Sequence, residues 1–125
     1  MSMTRPALAL LALLALLAVG FPAAARAHAF LDHAVPPVGG TIAAAPKEVR
    51  LYFSEAVETL FSGAELAGAD GQAVATAPAA VAAGDKTQLV LTLPPLPPGK
   101  YRVRWHVVSV DTHRTEGDFT FEIRP

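Results

Sequence analysis

Apolar and polar residues alternate along most of the second half of the chain. Residues 47–54 set Val49, Leu51 and Phe53 on one face, and residues 87–93 do the same with Leu89, Leu91 and Leu93. Residues 100–110 oppose Tyr101, Val103, Trp105 and Val107 to Arg102, Arg104 and His106. The last run, residues 117–123, turns Phe119, Phe121 and Ile123 one way and Asp118, Thr120 and Glu122 the other. A side-chain period of two predicts half-buried antiparallel strands. Shorter segments at 30–35, 63–66 and 73–76 predict further strands.

Turn residues separate these runs. Asp70-Gly71 predicts a tight hairpin, and Gly84-Asp85-Lys86 a second turn. The segment PPLPPG at 94–99 cannot supply a ladder of backbone donors, so it predicts a connecting loop. The alanine-rich stretch 77–83 reads as a possible helical turn, limited by Pro78 and Gly84. Several short strands punctuated in this way predict an all-β fold, a small Greek-key sandwich or barrel of the immunoglobulin-like or cupredoxin-like kind.

The N-terminus follows a different pattern. Arg5 precedes an unbroken Ala/Leu/Val run at 7–19, then Gly20, Phe21, Pro22 and the triplet Ala25-Arg26-Ala27. A charged start, a short apolar stretch and an A-x-A site describe a cleavable secretory signal peptide. The run is shorter than the roughly 20 apolar residues that span a bilayer, so no membrane span is expected after processing. The expected organisation is a leader at 1–27 and one β domain at 28–125, exported to the periplasm.

Processing changes the charge and the available chemistry. Losing Arg5 and Arg26 leaves 8 basic residues against 11 acidic ones, a formal charge of −3. No basic stripe remains, which argues against a nucleic-acid partner. The chain has no cysteine, and its only methionines, Met1 and Met3, lie in the leader. The mature domain therefore has neither disulfide staple nor sulfur ligand.

Cleavage after Ala27 would leave His28 with a free α-amine beside its imidazole, two nitrogens able to chelate one metal ion. Asp111 and His113, two apart at the end of the long strand, can converge on one point. An imidazole and a carboxylate together make half of a transition-metal site. The same spacing also fits a turn aspartate bonding its own backbone beside an exposed histidine. Glu55 continues the parity of Val49, Leu51 and Phe53, so it either points inward as a ligand or turns to solvent at the strand end. His33 shares the parity of Leu31 and Val35, which predicts partial burial and makes it a secondary candidate. His106 lies on the face of Arg102 and Arg104 and takes no role. Ser54 and Ser109 stand near acids, but neither lies in a nucleophile elbow.

Five segments together carry a resemblance: His28, LYFSE at 51–55, FSGA at 61–64, GKYRV at 99–103 and WHVVSVDTH at 105–113. In that order they resemble the CopC family of periplasmic copper-resistance proteins, across essentially the whole mature chain. The resemblance implies an immunoglobulin-like or cupredoxin-like β-barrel binding one Cu(II) ion per mature chain. It also implies the ligands: the amine and imidazole of His28, the imidazole of His113 and the carboxylate of Asp111. Glu55 matches a further acidic position that ligates or supports the site. Some members carry a methionine-rich loop for Cu(I); the corresponding stretch here, 67–77, has no methionine. Related domains work beside an inner-membrane copper transporter, the partner this resemblance implies.

Nitrogen and oxygen donors without sulfur suit Cu(II), which stands highest in the divalent affinity order. The leading expectation is a non-enzymatic periplasmic carrier or buffer of copper. An N-terminal histidine paired with a second histidine also resembles the copper brace of polysaccharide monooxygenases. The small mature domain, with its aromatic residues at core parity, offers no evident substrate platform for that chemistry. A β-sandwich without metal is the third alternative.

Overall fold

The computed structural model describes residues 29–125, and the expected leader and His28 lie outside them. Nine strands follow in order: β1 (Leu31–Val35), β2 (Thr41–Ile42), β3 (Glu48–Phe53), β4 (Gly63–Gly68), β5 (Ala73–Val74), β6 (Ala80–Ala82), β7 (Asp85–Thr92), β8 (Gly99–Val108) and β9 (Arg114–Ile123). A single turn of 3₁₀ helix spans Thr59–Phe61. Among the described residues no helix is long and apolar enough to cross a membrane.

The strands form two sheets, β1-β3-β7-β6 and β2-β9-β8-β4-β5. All pairings are antiparallel except β2 with β9. Neither sheet closes on the other, so the all-β expectation resolves to a sandwich and not a barrel. Edge positions fall to the short strands β2, β5 and β6 and to β1, which limits the unpaired backbone each edge exposes.

The four long alternating runs form strands for the expected reason. Val49, Leu51 and Phe53 of β3 and Leu89 and Leu91 of β7 face Tyr101, Val103, Trp105 and Val107 of β8 and Phe119, Phe121 and Ile123 of β9. All are buried, and together they fill the space between the sheets. Phe53 meets Trp105 edge-on with ring centroids 5.2 Å apart, a favourable geometry for two aromatic quadrupoles.

Turn chemistry behaves as expected at Gly71, where φ is +81° and a β-carbon would be strained. Asp70 Oδ1 accepts from the Gln72 amide at 3.0 Å and completes the β4–β5 hairpin. The proline-rich loop joins β7 to β8. Its Pro97 carbonyl accepts from the hydroxyl of Tyr101 at 2.5 Å, which ties the loop to the core.

Three local expectations need correction. Residues 80–82 form a strand paired with β7, not part of a helical turn. Alanine has no preference strong enough to resist the ladder that β7 offers. His33 is exposed, because a bulge between Leu31 and His33 shifts the register. The extra residue reverses the parity, so Ala34 faces the core and His33 and Val35 face solvent. The long strand ends at Val108, and Val110 is 55% exposed.

Candidate metal site

At one end of the sandwich, the β8–β9 connection carries both residues of the D-x-H motif. Ser109 continues the inward parity of Val107 and is the one polar residue among the buried described residues. Its amide bonds the carbonyl of His113 at 2.9 Å, and its own carbonyl accepts from the Thr112 amide at 2.8 Å. Thr112 takes φ of +71° to close the turn. That turn brings His113 Nδ1 to 3.2 Å from Asp111 Oδ2. The other carboxylate oxygen, Oδ1, accepts a hydrogen bond from the hydroxyl of Ser109.

The electrostatics follow from this cradle. The Ser109 hydroxyl is the largest influence and holds the Asp111 carboxyl below its ordinary range; desolvation opposes it, and the imidazole and then the amide of His113 add smaller lowering effects. Asp111 is therefore ionised at neutral pH, as a carboxylate ligand must be. An imidazole that donates a hydrogen bond from Nδ1–H to a carboxylate presents Nε2 as the electron-pair donor, the usual arrangement behind a metal-bound histidine.

The start of the described chain is pinned to the same end. The Thr115 hydroxyl donates to the carbonyl of Ala29 at 2.6 Å. The Phe30 amide donates to Ser54 Oγ at 2.9 Å, and the Ser54 amide returns a bond to the Phe30 carbonyl at 2.8 Å. Ala29 is fully buried. The chain entering from residue 28 is thus gripped between the end of β3 and the start of β9, two residues from His113.

Glu55 lies half-buried just past β3. Among the described residues, no group of three His, Cys, Asp or Glu side chains is arranged to hold a metal, so neither Glu55 nor any other acid joins Asp111 and His113 there. His33 lies elsewhere, bonded to Asp32 at 2.9 Å and stacked on Tyr52 with centroids 4.1 Å apart. His106 faces outward on β8 opposite Glu116. It lies over Gly63, where a β-carbon would sit 2.8 Å from its ring.

Sequence reasoning gave no supporting role to three hydroxyls at this end: Ser54 and Ser109, weighed only as nucleophiles, and Thr115. Two carried a readable mark. Ser109 has the inward parity of Tyr101 to Val107, and Thr115 that of Phe119 to Ile123, so each is a polar group facing the core. Buried polar groups need partners. Ser54 carried no such mark.

The family model for the CopC domain matches residues 31–124. The chain belongs to the CopC family. It is 46% identical over 99 residues to Protein YobA of Escherichia coli K12, covering 78% of this chain and 80% of that protein. It is 38% identical over 108 residues to Copper resistance protein C of Pseudomonas syringae pv. tomato, covering 82% and 85%. The fold is similar to the crystal structure of CopC from Methylosinus trichosporium OB3b, with a TM-score of 0.74, 35% identity and coverage of 78% and 95%. PcoC of Escherichia coli, described as a methionine-rich copper resistance protein, superposes with a TM-score of 0.67 at 38% identity, covering 78% and 100%. This CopC-family chain lacks that methionine richness, since Met1 and Met3 precede the domain.

Proposed function

We propose that this CopC-family protein, once cut before His28, binds one Cu(II) ion in the periplasm and carries or buffers it without catalysis. Membership in a family whose named relatives include copper resistance proteins supports copper as the cargo. The observation that carries the ligand assignment is the double grip on Ala29 and Phe30 beside the Asp111–His113 turn. A residue bonded to Ala29 has its α-carbon only about 3.8 Å away across an ordinary peptide. In this reading the amine and imidazole of His28 meet the donors of the turn beside Thr115.

The donor set fits the ion. Two nitrogens from His28, one from His113 and the Asp111 carboxylate make a nitrogen-rich, sulfur-free set, which favours Cu(II) in tetragonal geometry. Glu55, half-buried past β3, supports the site through its negative charge and not as a donor, because it does not join Asp111 and His113 in one cluster. The domain's part is to hold Asp111 ionised, orient the His113 ring and keep the chain start in place. The inner-membrane copper transporter implied by the resemblance is the proposed recipient or source.

Titrating Cu(II) into the domain beginning at His28, and into the same domain with one alanine before it, tests this reading. The added residue converts the amine into a peptide nitrogen and is expected to weaken binding sharply. Equal affinity of the two forms would refute it.

A further inference from the structure

We infer that Thr115 is a positioning residue for copper: its hydroxyl, with Ser54 on the other side, fixes the chain start so that the processed terminus meets the Asp111–His113 turn already aligned. The inference rests on the ligand reading above and extends it to residues that touch no metal.

The geometry carries it. Thr115 sits on β9 opposite Val107, on the inward face, and donates across 86 residues of sequence to Ala29 at 2.6 Å. Ser54 accepts from the Phe30 amide at 2.9 Å and bonds the Phe30 carbonyl through its own amide at 2.8 Å. Two consecutive residues are therefore held from two different sheets. A chain terminus is ordinarily among the least ordered parts of a domain unless tied down. A bidentate ligand on a loose terminus must lose that freedom on binding, and a tie made in advance removes much of the cost. β1–β3 pairing resumes past the bulge at Leu31 opposite Phe53, the Ser54 amide carries it one step further to the Phe30 carbonyl, and beyond that point the hydroxyls of Ser54 and Thr115 hold the chain.

Thr115→Val keeps the shape and branching of the side chain and deletes the donor. Thr115 bonds the residue beside a ligand and not a ligand itself, so the expected loss sits at the lower end of the roughly 10–100-fold that removing a ligand's outer partner costs. Five proteins test the idea: the domain beginning at His28, its Thr115→Val and Thr115→Ser variants, the domain with one alanine before His28, and the same extended domain carrying Thr115→Val. Cu(II) affinity and metal-free melting temperature are measured for each. The expected result is a loss of about 10-fold from Thr115→Val in the His28 domain and no further loss in the extended one. Thr115→Ser is expected to restore binding. The inference is overturned by unchanged affinity in Thr115→Val, or by an equal loss in both backgrounds, which marks a general structural role. If the alanine extension alone changes nothing, the ligand reading fails instead. The arms thus separate the two failures.

Discussion

The hydroxyl of Ser109 donates to Asp111 Oδ1 from a fully buried position, and Ser109 Oγ also lies 3.2 Å from the carbonyl oxygen of His113. One small side chain therefore sets both the carboxylate and the backbone of the turn that carries the second imidazole. Ser109→Ala removes the largest influence on Asp111, so its carboxyl rises toward the ordinary aspartate range. Cu(II) affinity is expected to fall by about 10-fold or more. Isothermal titration of the variant, with NMR titration of the Asp111 carboxyl, checks both effects, and an unmoved carboxyl would remove Ser109 from the account.

The histidines are expected to divide sharply. His113→Ala removes a ligand, and its loss in Cu(II) affinity should exceed the roughly 10–100-fold typical of an outer partner. His33→Ala and His106→Ala, on the outer faces of different sheets, should leave affinity within about 2-fold, far below that outer-partner effect. Competition titrations against a chelator of known affinity make the comparison.

Binding should weaken as pH falls from about 8 to 6, through the reference values of an α-amine near 7.7–8.0 and an imidazole near 6.5. Asp111 does not contribute to that fall, because its carboxyl is held below the ordinary range and stays ionised throughout. Stability behaves differently. Asp111 and Asp85 both have lowered folded values, Asp85 through Thr87 and Gln88. Each contributes stability that is fully present above the unfolded aspartate value of about 3.9 and is lost as pH falls through the folded value. Metal-free melting temperatures should thus be flat between pH 8 and 6 with respect to these groups and decline below about pH 4.

Gly117 faces Trp105 across β8 and β9 so closely that a β-carbon would sit 2.7 Å from Trp105 Cζ2 and 3.0 Å from Cε2. The indole is buried against Phe53 and has little room to retreat. Gly117→Ala is expected to cost about 1–3 kcal/mol by overpacking. Urea unfolding followed by tryptophan fluorescence measures it, and a neutral result would show that the core yields there.

Four strands could be read from alternation alone because each has one buried face and one wet face over six residues or more. Phe53, Trp105 and Phe121 all lie where parity puts them. The pattern failed where one residue breaks the count. The bulge in β1 inverts His33 and Ala34, and nothing in LDHAV marks the extra residue. The two-residue strand β2 is too short to show a period, and it forms through parallel pairing with the distant β9. Residues 80–82 are strand because β7 is beside them, a tertiary influence that local composition does not contain.

At the site, the D-x-H pair was readable, and the structure brings its two side chains together. Parity marks Ser109 and Thr115 as polar groups facing the core, but what they hold was not readable, since it depends on contacts such as Thr115 to Ala29, 86 residues apart. His28 and the proposed cleavage lie outside the described residues.

The central claim concerns where copper binds, so the most direct test is anomalous diffraction at the copper absorption edge from crystals of the Cu(II)-loaded domain beginning at His28. The account predicts one strong peak within bonding distance of the His28 nitrogens, the His113 ring and the Asp111 carboxylate. A peak at His33 or His106 instead, or none near the β8–β9 turn, would contradict it.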